Sequence, residues 1–224
     1  MRAAKLPRQR ILEATRGAIL ARQEQGLPLL IEQLESSDSD AFELALSLSR
    51  ELSGSDVTAA LIKTLSTTTV DRQAQLVLAL ADRRGDPAVT PAVLQAAQQG
   101  AKPVRTAALT VLQQVGDLSC VPGLLAVANE DDAELSQGAR AALEALSGAE
   151  VDADIVRRLP EARGPLRRLL IELIGQRRID AVPALLQAAD DTDPQLRAAA
   201  IRSLGSTVNL DQLGELIQRL AAPK

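Results

Sequence analysis

The sequence has no histidine, no tryptophan and no tyrosine, a single phenylalanine (Phe42) and a single cysteine (Cys120). Each absence removes a class of chemistry. Without histidine, the usual Ser-His-Asp and Cys-His nucleophile systems cannot be assembled. One cysteine supports neither an internal disulfide nor a cysteine-rich zinc site. No glycine-rich loop ending in Lys-Ser or Lys-Thr is present to cradle a phosphate. No metal site, cofactor site or catalytic residue is therefore expected. Mean hydropathy is +0.02, and no run approaches the roughly 18 apolar residues of a membrane span. The basic start, MRAAKLPRQRILEATRG, lacks the apolar core of a secretory signal. A cytoplasmic location is favoured. The net charge of -4 and pI of about 5.1 argue against a dedicated nucleic-acid binder, which carries a basic footprint.

What is present is a repeat. Residues 180–205, DAVPALLQAADDTDPQLRAAAIRSLG, read as two amphipathic helices joined by an acidic turn. The first carries an adjacent aliphatic pair, Leu185-Leu186. Matching pairs are Leu30-Ile31, Leu61-Ile62, Val93-Leu94, Leu124-Leu125, Ile155-Val156 and Leu216-Ile217, spaced 31, 32, 31, 31, 30 and 31 residues apart. A second marker, Leu48, Leu80, Leu112, Leu143, Ile174 and Leu204, recurs every 30 to 32 residues. Two independent markers keeping one period signal stacked helical hairpins, none of which can bury its apolar face alone. In the quoted copy, Asp193-Pro194 reads as a helix start and Gly205 as a helix stop. Leu196, Ile201 and Leu204, with Ala199 and Ala200, form the packing face.

The spacing predicts one helix over 8–25, then hairpins at 27–52, 55–84, 87–115, 118–147, 152–178 and 180–205, and a further first helix at 211–220. Residues 1–26 form a cap or partial repeat, and residues 27–224 one continuous domain. Layers roughly 8–10 Å apart make a rod on the order of 60–70 Å long. Its thin aliphatic core needs no large rings. Leu213, Leu216, Ile217 and Leu220 leave the last element with an apolar strip covered on one side, so a longer polypeptide or a partner at that end is expected.

VRTAALTVL (104–112), LRRLLIELIG (166–175) and LRAAAIRSLG (196–205), each preceded by an AVPALL-like helix, resemble bacterial HEAT-repeat proteins. The short period is similar to the HEAT-like repeats named from phycobilisome lyases. The resemblance implies an all-α fold, a right-handed α-solenoid of about six to seven hairpins. It also implies a protein-binding scaffold, often one region of a larger protein. HEAT-repeat iron hydroxylases rely on His-Glu motifs that this chain lacks. By the same resemblance, an arginine opening each second helix bonds carboxylates of the preceding turn. Arg105, Arg167 and Arg197 match it, with Asp191 and Asp193 as acceptors for Arg197. Gln73 and Ser136 break that ladder.

Cys120 aligns with Ala181 and reads as a packing residue of a first helix, so its replacement by alanine leaves stability and binding nearly unchanged. NEDDAELS (129–136) reads as a solvated turn; it lacks the glycine and spacing of a calcium loop. The segment 155–178 holds seven arginines against two glutamates. The segment 130–154 holds eight acids against one arginine. Either neighbouring faces compensate each other or a basic patch awaits an acidic partner; nucleic acid is disfavoured for want of stacking aromatics.

In solenoids of this type the second helices line the concave surface. Counted from the Leu204 marker, the outward positions are Ala74 and Leu78, Thr106 and Thr110, Gln137 and Ala141, Arg168 and Glu172, Ala198 and Arg202. The candidate partner-binding residues are Arg168, Glu172 and Arg202, with Thr106 and Thr110. The expectation is a monomeric, non-catalytic scaffold for another protein or another domain of the same polypeptide, without nucleic-acid or membrane binding. A structural spacer and a phycobilisome-lyase-like subunit are the alternatives.

Overall fold

The computed structural model describes residues 7–207 and residue 214; the expected helix at 211–220, with its apolar strip, lies outside the described residues except for Gly214. Packing falls into two units, Met1–Gly116 and Asp117–Lys224. All described regular structure is helical, with thirteen α-helices.

The first unit begins with α1 (Arg8–Arg22), and a 3₁₀ turn at Gln23–Gly26 closes it. Three hairpins follow: α2 (Leu27–Glu35) with α3 (Ser39–Glu51), α4 (Ser55–Leu65) with α5 (Val70–Leu80), and α6 (Val89–Gln99) with α7 (Lys102–Val115). In the second unit, a 3₁₀ turn at Leu118–Cys120 leads into α8 (Val121–Ala128) and α9 (Ala133–Ala145). The hairpins α10 (Ala149–Arg158) with α11 (Gly164–Gln176) and α12 (Val182–Ala189) with α13 (Pro194–Thr207) complete it. All six hairpins match the period read from the sequence to within a few residues.

The reason is burial. The first residue of every described aliphatic pair (Leu30, Leu61, Val93, Leu124, Ile155, Leu185) and every second-helix marker is fully buried. Each such side chain is worth roughly 1.5–3 kcal/mol removed from water, so the period is the spacing of the core itself. Pro28, Pro122 and Pro183 sit in the first turns of α2, α8 and α12, where a missing N–H leaves no bond unmade. Asp38, Asp132 and Asp193 accept from the amides of Asp40, Glu134 and Gln195 at 2.9, 3.1 and 2.8 Å. The acidic turns, NEDDAELS included, are thus helix N-caps. Helix α1 packs on α3, tied by Arg16 to Glu51 at 2.6 Å and by Arg8 to Asp38 and Asp40 at 2.5 and 2.7 Å. That is the contact a second helix makes with the next.

Two local expectations are corrected. Gly205 does not end α13, which runs on to Thr207. The Ser206 and Thr207 hydroxyls both donate to the Ser203 carbonyl, at 2.9 Å each. Ile201 is not in the core; it is 45% exposed, and Ser203 takes the buried place. The corresponding Val77 and Ile171 are buried because α5 packs against α7 and α11 against α13. Among the described residues no second helix follows α13 to cover Ile201.

Candidate functional site

In three hairpins a side chain of the second helix satisfies a first-helix carbonyl eight residues before it. Gln73 Nε2 donates to the Leu65 carbonyl at 2.7 Å, Arg105 Nε to Ala97 at 2.7 Å, and Ser136 Oγ to Ala128 at 2.6 Å. Arg197 donates to the turn carbonyls of Asp191 and Thr192, both at 2.9 Å. For Arg197 the expected carboxylate partners are thus replaced by main-chain carbonyls. Those acceptors are left over at every helix end, so amide, hydroxyl and guanidinium serve alike. Gln73 and Ser136 continue the ladder rather than breaking it. The Asp193 carboxylate is engaged in capping α13. Asp191 instead lies 3.7 Å from Arg167, whose buried Nε has no partner.

Two arginines that sequence reasoning passed over do more. Arg177 Nε and NH2 meet the Asp152 carboxylate at 2.8 and 2.6 Å, and its NH1 meets the carbonyls of Leu143, Glu144 and Leu146 at 2.8, 2.9 and 2.6 Å. Arg83 holds the end of α3 in the same way, through the carbonyls of Ser49, Leu52 and Gly54 at 2.7, 3.0 and 2.6 Å. Burial pulls the Arg83 pKa down, while the charge of Asp86 raises it. Each guanidinium faces the negative pole of the preceding repeat's second helix. The available signal was position: both lie three residues after a second-helix marker.

The opposed charge blocks meet in part. Asp154 is buried in α10 and binds Arg157 and, at 2.5 Å, Arg158 Nε. Burial pushes its pKa up, but the hydrogen bonds and charges of Arg158 and Arg157 outweigh that and hold it below the usual carboxylate range. Arg163 donates to the carbonyls of Pro160 and Ala162 at 2.7 and 2.8 Å. Arg177 serves Asp152 as described above.

Arg168, with Arg140 and Arg202, lies toward the solvent side of the second helices. Arg140 on α9 binds Glu172 on α11 at 2.7 Å. Arg168 lies 3.9 Å from Glu172 and donates to Gln195 Oε1 on α13 at 2.6 Å. Glu172 and Arg202 line a shallow open groove of about 460 Å³ between α11 and α13, together with Gly175, Gln176, Arg178 and Ser206. The structure thus brings Arg168, Glu172 and Arg202 to one face of the second unit. Thr106 and Thr110 lie on α7 of the first unit, and their hydroxyls donate to Lys102 and Thr106 of their own helix at 3.1 Å each. Of the other outward positions, Leu78 is 47% exposed.

Cys120 is fully buried in the 3₁₀ turn that immediately precedes α8, not inside the helix. Burial pushes its thiol pKa up. Among the described residues no cluster of three or more metal-ligating side chains occurs, and no helix is long and apolar enough to cross a membrane.

A family model for HEAT repeats matches residues 153–224. Among solved structures, the chain is similar to a computationally designed armadillo repeat protein for modular peptide recognition, at 14% identity and a TM-score of 0.44, over 81% of this chain and 100% of that one. It is similar to human deoxyhypusine hydroxylase, at 16% identity and a TM-score of 0.44, over 95% of this chain and 92% of that one. A designed armadillo repeat protein in complex with the peptide (KR)4 aligns at 14% identity and a TM-score of 0.43, over 81% and 99%. No curated protein matches the sequence. Residues 153–224 thus match HEAT repeats, and the hairpins before them keep the same period and core positions.

Proposed function

We propose that this chain is a non-catalytic protein-interaction scaffold that presents the exposed second-helix face of its second unit to another protein or to another domain of the same polypeptide. One observation carries the reading. In the arginine-rich segment, Arg157, Arg158, Arg163 and Arg177 are tied to carboxylates or carbonyls of their own and adjacent helices. Arg140 and Arg168 share the carboxylate of Glu172 toward the solvent-facing side of the second helices, and Arg202 lines the groove beside it with its guanidinium unpaired among the described residues. Arginine is the residue type most useful at interface hot spots in a chain without tryptophan or tyrosine. The face of α5 and α7 in the first unit, with Ala74, Leu78, Thr106 and Thr110, offers no comparable charged anchors and suits a spacer.

The test is a pull-down from native lysate with the chain as bait and an Arg168→Glu/Arg202→Glu variant as control. A partner retained by the wild type and lost by a folded variant supports the reading. A partner bound equally by both moves the binding surface elsewhere, and a blank from both favours a spacer.

A further inference from the structure

Resting on that reading of the second unit as an interaction surface, we propose that the groove between α11 and α13 takes an acidic peptide segment, whose carboxylates pair with Arg178 and Arg202. Both arginines line the groove, and neither guanidinium has a hydrogen bond or ion pair among the described residues. Glu172, the one carboxylate in the groove wall, is already bonded to Arg140 at 2.7 Å and approached by Arg168 at 3.9 Å. The surface around it therefore carries four guanidiniums against one carboxylate.

Arg178 occupies a position that backbone chemistry would give to another residue. Its φ is 55°. Its amide donates to the Gly175 carbonyl at 3.2 Å, and the next amide, of Ile179, donates to Ile174 at 2.9 Å. This pair of bonds closes α11 through a left-handed residue, a place where glycine is favoured. An arginine here keeps a cation at the groove's rim against local preference, which is where function is expected to override structure.

The groove suits a peptide better than a nucleic acid. Separated carboxylates can straddle Glu172, whereas a continuous phosphate backbone must pass against it. Phe42, the chain's one aromatic side chain, is buried, so no exposed ring is available for base stacking. Peptide N–H groups can donate to the Gln176 side chain. Carboxylates can take the guanidiniums in charge-assisted pairs.

The experiment is fluorescence anisotropy of a fluorescein-labelled hexaglutamate peptide titrated with the full chain at low ionic strength. Saturable binding is expected, with none for labelled hexalysine. Arg178→Gly and Arg202→Gln each weaken it roughly tenfold, as for loss of one charge-assisted contact. Arg22→Gln, the same loss of charge in the first unit, leaves it unchanged. Arg178→Gly keeps or raises the melting temperature, so its lost affinity cannot be laid to misfolding. Absent hexaglutamate binding, or binding that survives the double variant, overturns the proposal. So does tighter, Arg178- and Arg202-dependent binding of a labelled oligothymidylate, which would make the groove a nucleic-acid surface. If the pull-down partner is lost by Arg168→Glu/Arg202→Glu while hexaglutamate never binds, the scaffold reading stands and only the acidic-peptide assignment falls.

Discussion

Gly175 on α11 lies so close to Ser203 on α13 that a Cβ added to it would sit 2.5 Å from Ser203 Oγ and 2.8 Å from Ser203 Cα. The serine uses this approach to donate to the Ile171 carbonyl at 2.8 Å, and Ser206 donates to Gly175 itself at 3.0 Å. The two second helices are locked through small residues and main-chain acceptors. Gly175→Ala must push the helices apart, because the obstacle includes backbone. A loss of about 1–3 kcal/mol is expected, despite alanine's better helix propensity. Urea unfolding followed by far-UV circular dichroism measures it; an unchanged or higher midpoint would refute the locked contact.

The end of α9 depends on Arg177, whose side chain is 8% exposed. Arg177→Ala strands the Asp152 carboxylate and three helix carbonyls. Because the Asp152 side chain is 35% exposed, the loss should fall short of the roughly 3–5 kcal/mol of a fully buried pair. Arg157, at 73% exposed, is the contrast: its removal leaves Arg158 on Asp154 and should cost less than about 1 kcal/mol. Equal midpoints for the two alanine variants would show that the carbonyl contacts contribute nothing.

The hairpins were legible in the sequence because the same buried positions must recur in every stacked copy, and Leu30 or Leu204 is visible wherever its equivalents are. Ile201 escaped because its burial depends on a helix after α13 and not on its own hairpin. The carbonyl partners of Arg197 were illegible for a different reason. A main-chain acceptor has no letter, so the nearby aspartates attracted the assignment. Counting helical positions placed Arg168 and Arg202 on the outward face, and the structure puts them on one surface with Glu172. Arg178 lies past the end of α11, outside any helical count, and only the fold brings it to the groove.

Acid should destabilise the second unit through Asp154. Arg158 and Arg157 hold its folded pKa below that of the unfolded chain, against the upward push of burial. Its contribution is complete above the unfolded value of about 4 and disappears as pH falls through the lower folded value. Asp154→Asn removes this proton linkage. Stability measured between about pH 5 and pH 2 should fall less steeply in the variant than in the wild type. Identical acid limbs would mean that the ion pairs do not form in solution.

The thiol of Cys120 should report unfolding and nothing else. Burial and the charge of Asp117 push its pKa up, which outweighs the hydrogen bonds around it. The reactive thiolate is therefore scarce at neutral pH, and the sulfur has no exposure to solvent. Labelling by a disulfide reagent should be slow in the native protein and should accelerate along the same urea curve as the loss of helical signal. Because Cys120 is fully buried, Cys120→Ala should cost about 1 kcal/mol of packing, more than the near-neutral change expected from sequence, and leave partner binding unchanged. Fast labelling of the fully helical protein would mean that the turn before α8 opens on its own, and that the packing assignment of this cysteine is wrong.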